Sequence, residues 1–220
     1  MKTIKLFIYT LIIGLIAVSC SKDDYAIGGD LHNANLNLSA YDFLKSKPLF
    51  DTVALLIDKA GMKEEVNQTG TFFAPTDYAV MNYINKRNGE VRETDENLRY
   101  TVDTLIKYDL QSFKDSVRMY LIPEVLNRDG LTSEGKVYST RLANKVKLSL
   151  EDSNDYTDNV STKPKYVYYT YIVADLDDPN DNSIPDEVRD QKVHIQTSGL
   201  LSTNGVVHVL NNSHILFFRK

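Results

Sequence analysis

The sequence predicts an α+β domain, and three observations carry that prediction. Apolar residues between Ser39 and Tyr120 recur every three or four positions, the period of amphipathic helices. From Lys136 onward the period drops to two, as on half-buried strands. Between the helical stretches, Thr71-Phe72-Phe73-Ala74-Pro75-Thr76-Asp77-Tyr78-Ala79-Val80 reads as a short buried strand, a proline stop and a helix start. The 220 residues, 42% hydrophobic and 25% charged, suit one ordinary globular domain, and no repeat at a fixed period is visible.

Taken in order, Ser39 caps a short helix over Ala40–Ser46 that Pro48 ends. Leu49–Ala60 follows with Leu49, Val53, Leu56, Ile57 and Ala60 on one face, and Gly61 is its stop. Gly70 turns the chain into the Phe72-Phe73 strand, where alternation sends one phenylalanine to the main core and the other under a helix or to a sheet edge. Thr76 then caps a helix carrying Ala79, Val80, Tyr83 and Ile84 that runs to about Arg87. Asn88–Asn97, polar and with five charges, reads as a surface loop ending in a cap at Thr94 or Asp95. Leu98, Val102, Leu105 and Ile106 make one further helical stripe, and Leu110, Phe113, Val117 and Tyr120 another.

In the second half, Val146, Leu148 and Leu150 alternate with polar residues, and Lys165–Ala174 is a β-rich run. Polar loops are expected over Asp152–Pro164 and Asp175–Gln191, before a strand at Lys192–Thr197. Val206–Leu210 and His214–Phe218 form a hairpin candidate around Asn211-Asn212-Ser213, and Asn204-Gly205 supplies another tight turn.

Two stretches carry a family resemblance. Phe73-Ala74-Pro75-Thr76 and Asn204-Gly205-Val206-Val207-His208-Val209 resemble the two signature boxes of the fasciclin-type adhesion domain. The resemblance covers about Ser39–Phe218 and implies a single domain with helices packed on a twisted β-sheet wedge, here with insertion loops. It implies adhesion or binding as the function. In that family the helix before the wedge usually ends in a Tyr-His pair tied to integrin adhesion. The matching positions are Tyr120 and Leu121, so that role is not carried over.

The first residues give an address. Lys2 and Lys5 precede an apolar stretch, Leu6–Val18, that is short for a membrane span. Ala17-Val18-Ser19-Cys20 looks like a bacterial lipobox, in which Cys20 is lipidated after removal of residues 1–19. A plain secretory signal with a chance cysteine is the alternative, and the lack of any other cysteine weighs against it. Ser21-Lys22-Asp23-Asp24 resembles the export signal of surface lipoproteins in the Bacteroidetes group, and residues 20–38 read as a flexible tether. A domain over 39–220, lipid-anchored at the outer membrane and facing outward, is the expectation. Loss of Lys2 and Lys5 leaves 23 basic against 30 acidic residues, a charge of −7 that argues against nucleic acid or an anionic lipid surface as partner.

Catalytic signatures are missing. The four histidines form no HExxH pattern, and no GxSxG elbow, phosphate-cradling glycine loop or dinucleotide fingerprint is present. His208 is read as a structural hydrogen-bonding residue. Binding has two candidate places. Alternation puts Tyr166 and Tyr168 on one strand face and Tyr169 and Tyr171 on the other, so one pair can offer rings to a sugar or a protein. Cross-strand packing explains the row equally well. Asp178, Asn180, Asn182 and Asp186 are spaced as in calcium loops, although Ser183 and Arg189 replace the expected glycine and bidentate acid. A solvated insertion loop is the competing reading. The functional expectation is a surface binding lipoprotein for glycans or partner proteins, without a cofactor unless calcium, and the alternative is an extracellular polysaccharide hydrolase.

Overall fold

The computed structural model describes residues 34–153, 163–178 and 181–218. Helix α1 (Ala40–Lys45) starts at Ser39, whose hydroxyl accepts the Asp42 N–H at 3.1 Å. A 3-10 turn at Pro48–Phe50 leads into α2 (Asp51–Ala60), which Gly61 ends in a left-handed conformation at φ 65°. A single turn, α3 (Lys63–Val66), is too short to show a period and has no counterpart in the sequence reading. Strand β1 (Gly70–Ala74) follows, then α4 (Asp77–Thr94), α5 (Val102–Tyr108) and α6 (Leu110–Met119). The rest is β: β2 (Leu121–Ile122), β3 (Lys136–Ser139), β4 (Lys145–Asp152), β5 (Lys165–Tyr171), β6 (Gln191–Ser202) and β7 (Gly205–Leu210).

These strands form one sheet in the order β2-β1-β7-β6-β5-β4-β3. Every neighbouring pair is antiparallel except β1 and β7, which run parallel. The two signature stretches therefore lie side by side, with Phe73 opposite His208 and Ala74 opposite Val209. An interior strand covered on both faces buries every residue. Phe73 and Phe72 are accordingly 0% and 3% exposed. Phe73 packs on the rings of Tyr169 and His208, while Phe72 borders a small cavity with Ala40 of α1 and Val66 of α3. The parallel pair closes at two opposed glycines: a Cβ on Gly205 (φ 151°) would stand 1.9 Å from the Gly70 carbonyl oxygen. Helix α2 packs against α1, α4 and α6.

Several sequence expectations are corrected. Thr76 stands at the start of α4 but makes no side-chain cap; its hydroxyl is hydrogen-bonded to Asn212 Oδ1 at 3.0 Å. The capping carboxylate of the region is Asp77, and it serves another helix: it accepts the Thr52 and Val53 N–H groups of α2, each at 3.0 Å. Helix α4 runs to Thr94 rather than Arg87, so the surface loop expected over Asn88–Asn97 is mostly helix. Asn88 binds the backbone of Tyr100 through both amide atoms, Arg87 pairs with Glu90, and Val91 packs on the core. The next cap is Thr101, not Thr94 or Asp95.

The hairpin of Val206–Leu210 with His214–Phe218 does not form. β7 pairs instead with β6 and β1, and the terminal run closes in a 3-10 turn at Leu216–Phe218. Residues 34–36, expected to be part of a tether, instead join the sheet. Leu201 N–H donates to Ala34 O at 2.7 Å and Leu36 N–H to Leu201 O at 2.9 Å, so residues 34–36 occupy the edge of β6 that β5 leaves open.

Candidate binding surface

The residues of the two boxes build the interior. Phe73, Ala74, Pro75 and Thr76 are buried, as are Val206 and His208. Asn204 accepts the Ala40 N–H at 2.9 Å and ties the β6–β7 turn to α1. His208 has an assignable tautomer. Nδ1 accepts the Gly199 N–H at 3.2 Å, so Nε2 carries the proton and donates it to Leu126 O at 3.0 Å. Burial pushes its pKa down to about 4, against a smaller upward pull from the Leu126 carbonyl. It is a neutral bolt joining β7, β6 and the loop after β2. A second buried histidine, His214, lies 2.7 Å from the Tyr120 hydroxyl, which also accepts the Phe217 N–H at 2.9 Å. Burial lowers His214 to about 3 and raises Tyr120 well above the usual phenol range.

The tyrosine row splits as its alternation requires. Tyr169 is fully buried and donates to Met119 O, and Tyr171 stacks on Phe218 with centroids 5.0 Å apart. Tyr166 and Tyr168 lie on the opposite, half-exposed face. Tyr166 stacks on His194 at 5.6 Å, and Lys192 Nζ sits 4.3 Å from the Tyr168 ring centroid. The same ammonium is 2.6 Å from Glu151 Oε2, so the ion pair lies over the Tyr168 ring. Burial opposes ionisation of Glu151, yet hydrogen bonds from Lys192 and Ser149 outweigh it and hold the carboxyl below its ordinary value.

Beside this row lies a cleft of about 400 Å³. Its floor is the outer face of the sheet, where Lys147 of β4, Thr170 of β5 and Lys192 of β6 stand in one register row. Its wall is the insertion between β5 and β6, through Leu176, Asp177, Arg189 and Asp190. Asp190 accepts the Val173 and Asp177 N–H groups, each at 3.0 Å, and Asp177 accepts the Asp190 N–H at 2.7 Å. These reciprocal bonds clasp the neck of the insertion and hold it over the sheet.

The acidic loop is the tip of that insertion. Asp178 and Asn182 are exposed, Asp186 is 92% exposed and pairs with Arg189 at 3.5 Å, and Asn180 lies outside the described residues. Arg189 also donates to Ile184 O at 2.6 Å and, at 3.4 Å, to Asp181 O. A guanidinium is thus the loop's internal cation. Among the described residues, no group of three or more His, Cys, Asp or Glu side chains gathers as a metal site would need. Cys20 also lies outside the described residues. Sequence reasoning missed Lys147, Thr170, Lys192 and Glu151. The signal was available for three of them, since the alternation that sends Val146, Leu148 and Val167 inward sends Lys147, Glu151 and Thr170 outward.

The family model described as Fasciclin domain matches residues 48–213, more than half of the chain. Among solved structures, a FAS1 domain pair from the insect cell adhesion molecule Fasciclin I aligns at 12% identity and a TM-score of 0.42. That alignment covers 81% of this chain and 44% of the insect chain, so this chain spans less than half of the pair. A search of curated proteins finds no match.

Proposed function

The chain belongs to the fasciclin family, and on that premise we propose a surface-anchored adhesion lipoprotein that takes a glycan in the cleft between β4–β6 and the insertion. The family implies an adhesion or binding role, and its domains are typically extracellular or at the cell surface and generally not enzymes. The proposal adds the anchor, a lipid on Cys20 at the bacterial outer membrane, and the ligand.

The observation that carries the ligand is the cleft itself. Its volume falls in the range of small-ligand sites, roughly 300–1,000 Å³. Hydroxyl, ammonium, guanidinium and carboxylate groups line it, and Tyr166 and Tyr168 lie on the same sheet face, which suits a hydroxyl-rich ring better than a flat apolar protein face. A hydrolase would need a carboxyl kept protonated near neutral pH as general acid. Glu151 is held below its ordinary value by Lys192 and Ser149, the opposite of what a general acid needs.

The test is a glycan and protein binding screen with the full chain and with Thr170→Val and Lys192→Ala variants. Binding of a glycan class that the two cleft variants weaken is the expected result. Binding of proteins alone, or glycan binding indifferent to both substitutions, would refute the reading.

A further inference from the structure

We infer that the cleft is made for a sugar unit bearing a carboxylate, a uronic-acid residue, held with its acid group on the sheet and its hydroxyls toward the insertion. The inference rests on the glycan reading above and narrows it.

The argument starts on the floor. Lys147, Thr170 and Lys192 are register partners on three adjacent strands, spaced about 4.8 Å apart, so two ammonium-bearing side chains flank one hydroxyl. Lys192 is engaged, 2.6 Å from Glu151 and over the Tyr168 ring. Lys147 is half-buried in the cleft, and among the described residues it forms no ion pair. Glu134 and Glu151 feel its charge without closing on it. A partly desolvated ammonium of this kind favours an anionic partner over water.

The opposite wall adds acceptors beside Arg189. Asp177 and Asp190 are fixed by backbone N–H groups and accept only. A carboxylate offers about four lone-pair sites, and each of these uses one or two, which leaves acceptors for ligand hydroxyls. With Lys192 neutralised by Glu151 on the floor and Arg189 engaged by Asp186 and Ile184 O on the wall, the cleft sets the Lys147 ammonium on the sheet against the Asp177 and Asp190 acceptors on the insertion. A neutral hexose supplies hydroxyls to the wall but leaves Lys147 without a partner. An amino sugar brings a second cation to that lysine. A uronate carries its carboxylate on one side of the ring and a diol on the other, and satisfies both sides at once. The net negative charge, −5 for the full chain and −7 once residues 1–19 are removed, repels a long polyanion at range, so short oligomers are the ligands this cleft can hold.

The test uses the full chain and isothermal titration with trimers of galacturonate and of mannuronate, their carboxyl-reduced counterparts, and a glucosamine trimer. A uronate trimer should bind about tenfold or more tighter than its reduced form, as one charge-assisted contact contributes. Lys147→Gln should bring the two to parity without weakening the reduced trimer, and its thermal melt should match the parent because Lys147 is half-exposed. Lys147→Glu should reverse the preference toward glucosamine. Equal affinity for acid and reduced trimers overturns the inference and leaves the glycan reading standing. Uronate binding that Lys147→Gln does not touch overturns the placement. If no trimer binds and the wider screen finds no glycan, both readings fall together.

Discussion

Acidification should unfold this domain by forcing protons onto two histidines that are buried neutral. Burial holds His208 at about 4 and His214 at about 3, against an ordinary value of 6.5. Between those values the unfolded chain takes protons that the folded chain refuses. Stability is therefore full above about pH 6.5 and falls as the pH drops, until the folded state also accepts them. The gap is worth roughly 3 kcal/mol for His208 and roughly 5 kcal/mol for His214. Together these rival the stability of an ordinary domain, about 5–15 kcal/mol. Glu151, held low in the fold, adds to the loss only below about pH 5, so the window from 6.5 to 5 belongs to the histidines. Urea melts of the full chain across that window should lose about 2.7 kcal/mol per pH unit near its acid end. His208→Gln keeps an N–H for Leu126 O but cannot be protonated. It should lower stability at pH 7 by about 1–3 kcal/mol and halve the slope. Stability that is flat from pH 6.5 to 5, or a slope that the glutamine variant leaves whole, would refute this reasoning.

Gly205→Ala should cost about 3–5 kcal/mol, because its Cβ meets the Gly70 carbonyl at 1.9 Å and its φ of 151° is strained for any other residue. Gly61→Ala, at φ 65° but in open space, should cost only about 1 kcal/mol; denaturant melts giving similar losses would contradict the close approach of β1 and β7. Asp77→Ala should lower stability by about 1–2 kcal/mol through the two N–H groups it leaves uncapped at the start of α2, and a melt unchanged within error would show those bonds to be idle. Cys20→Ala should move the protein from the membrane pellet to the soluble fraction, and its persistence in the pellet would remove the lipid anchor from the proposal.

Local pattern determined a good deal by itself. Ser39 and Gly61 bound their helices where the spacing put them, since a cap depends only on its own turn. Tyr166 with Tyr168, and Tyr169 with Tyr171, parted to two faces because alternation is a property of a single strand. Even Lys147 could be sent outward from sequence. What no local pattern carried was which distant backbones meet. The parallel pairing of β1 with β7 joins residues about 135 positions apart, and it is what set Phe73 against Tyr169 and His208 and left Phe72 beneath α1 and α3, the two faces that alternation assigned them. The contact of Asn88 with Tyr100 drew a charged stretch into helix α4, against its loop-like composition. The clasp of Asp177 with Asp190 folded an unpatterned insertion over the sheet and made a cleft of residues from β4, β5 and β6. Periodicity records the environment along one element. The partners across an element are chosen by packing, where unpaired backbone edges and buried polar groups find the only arrangement that satisfies them together.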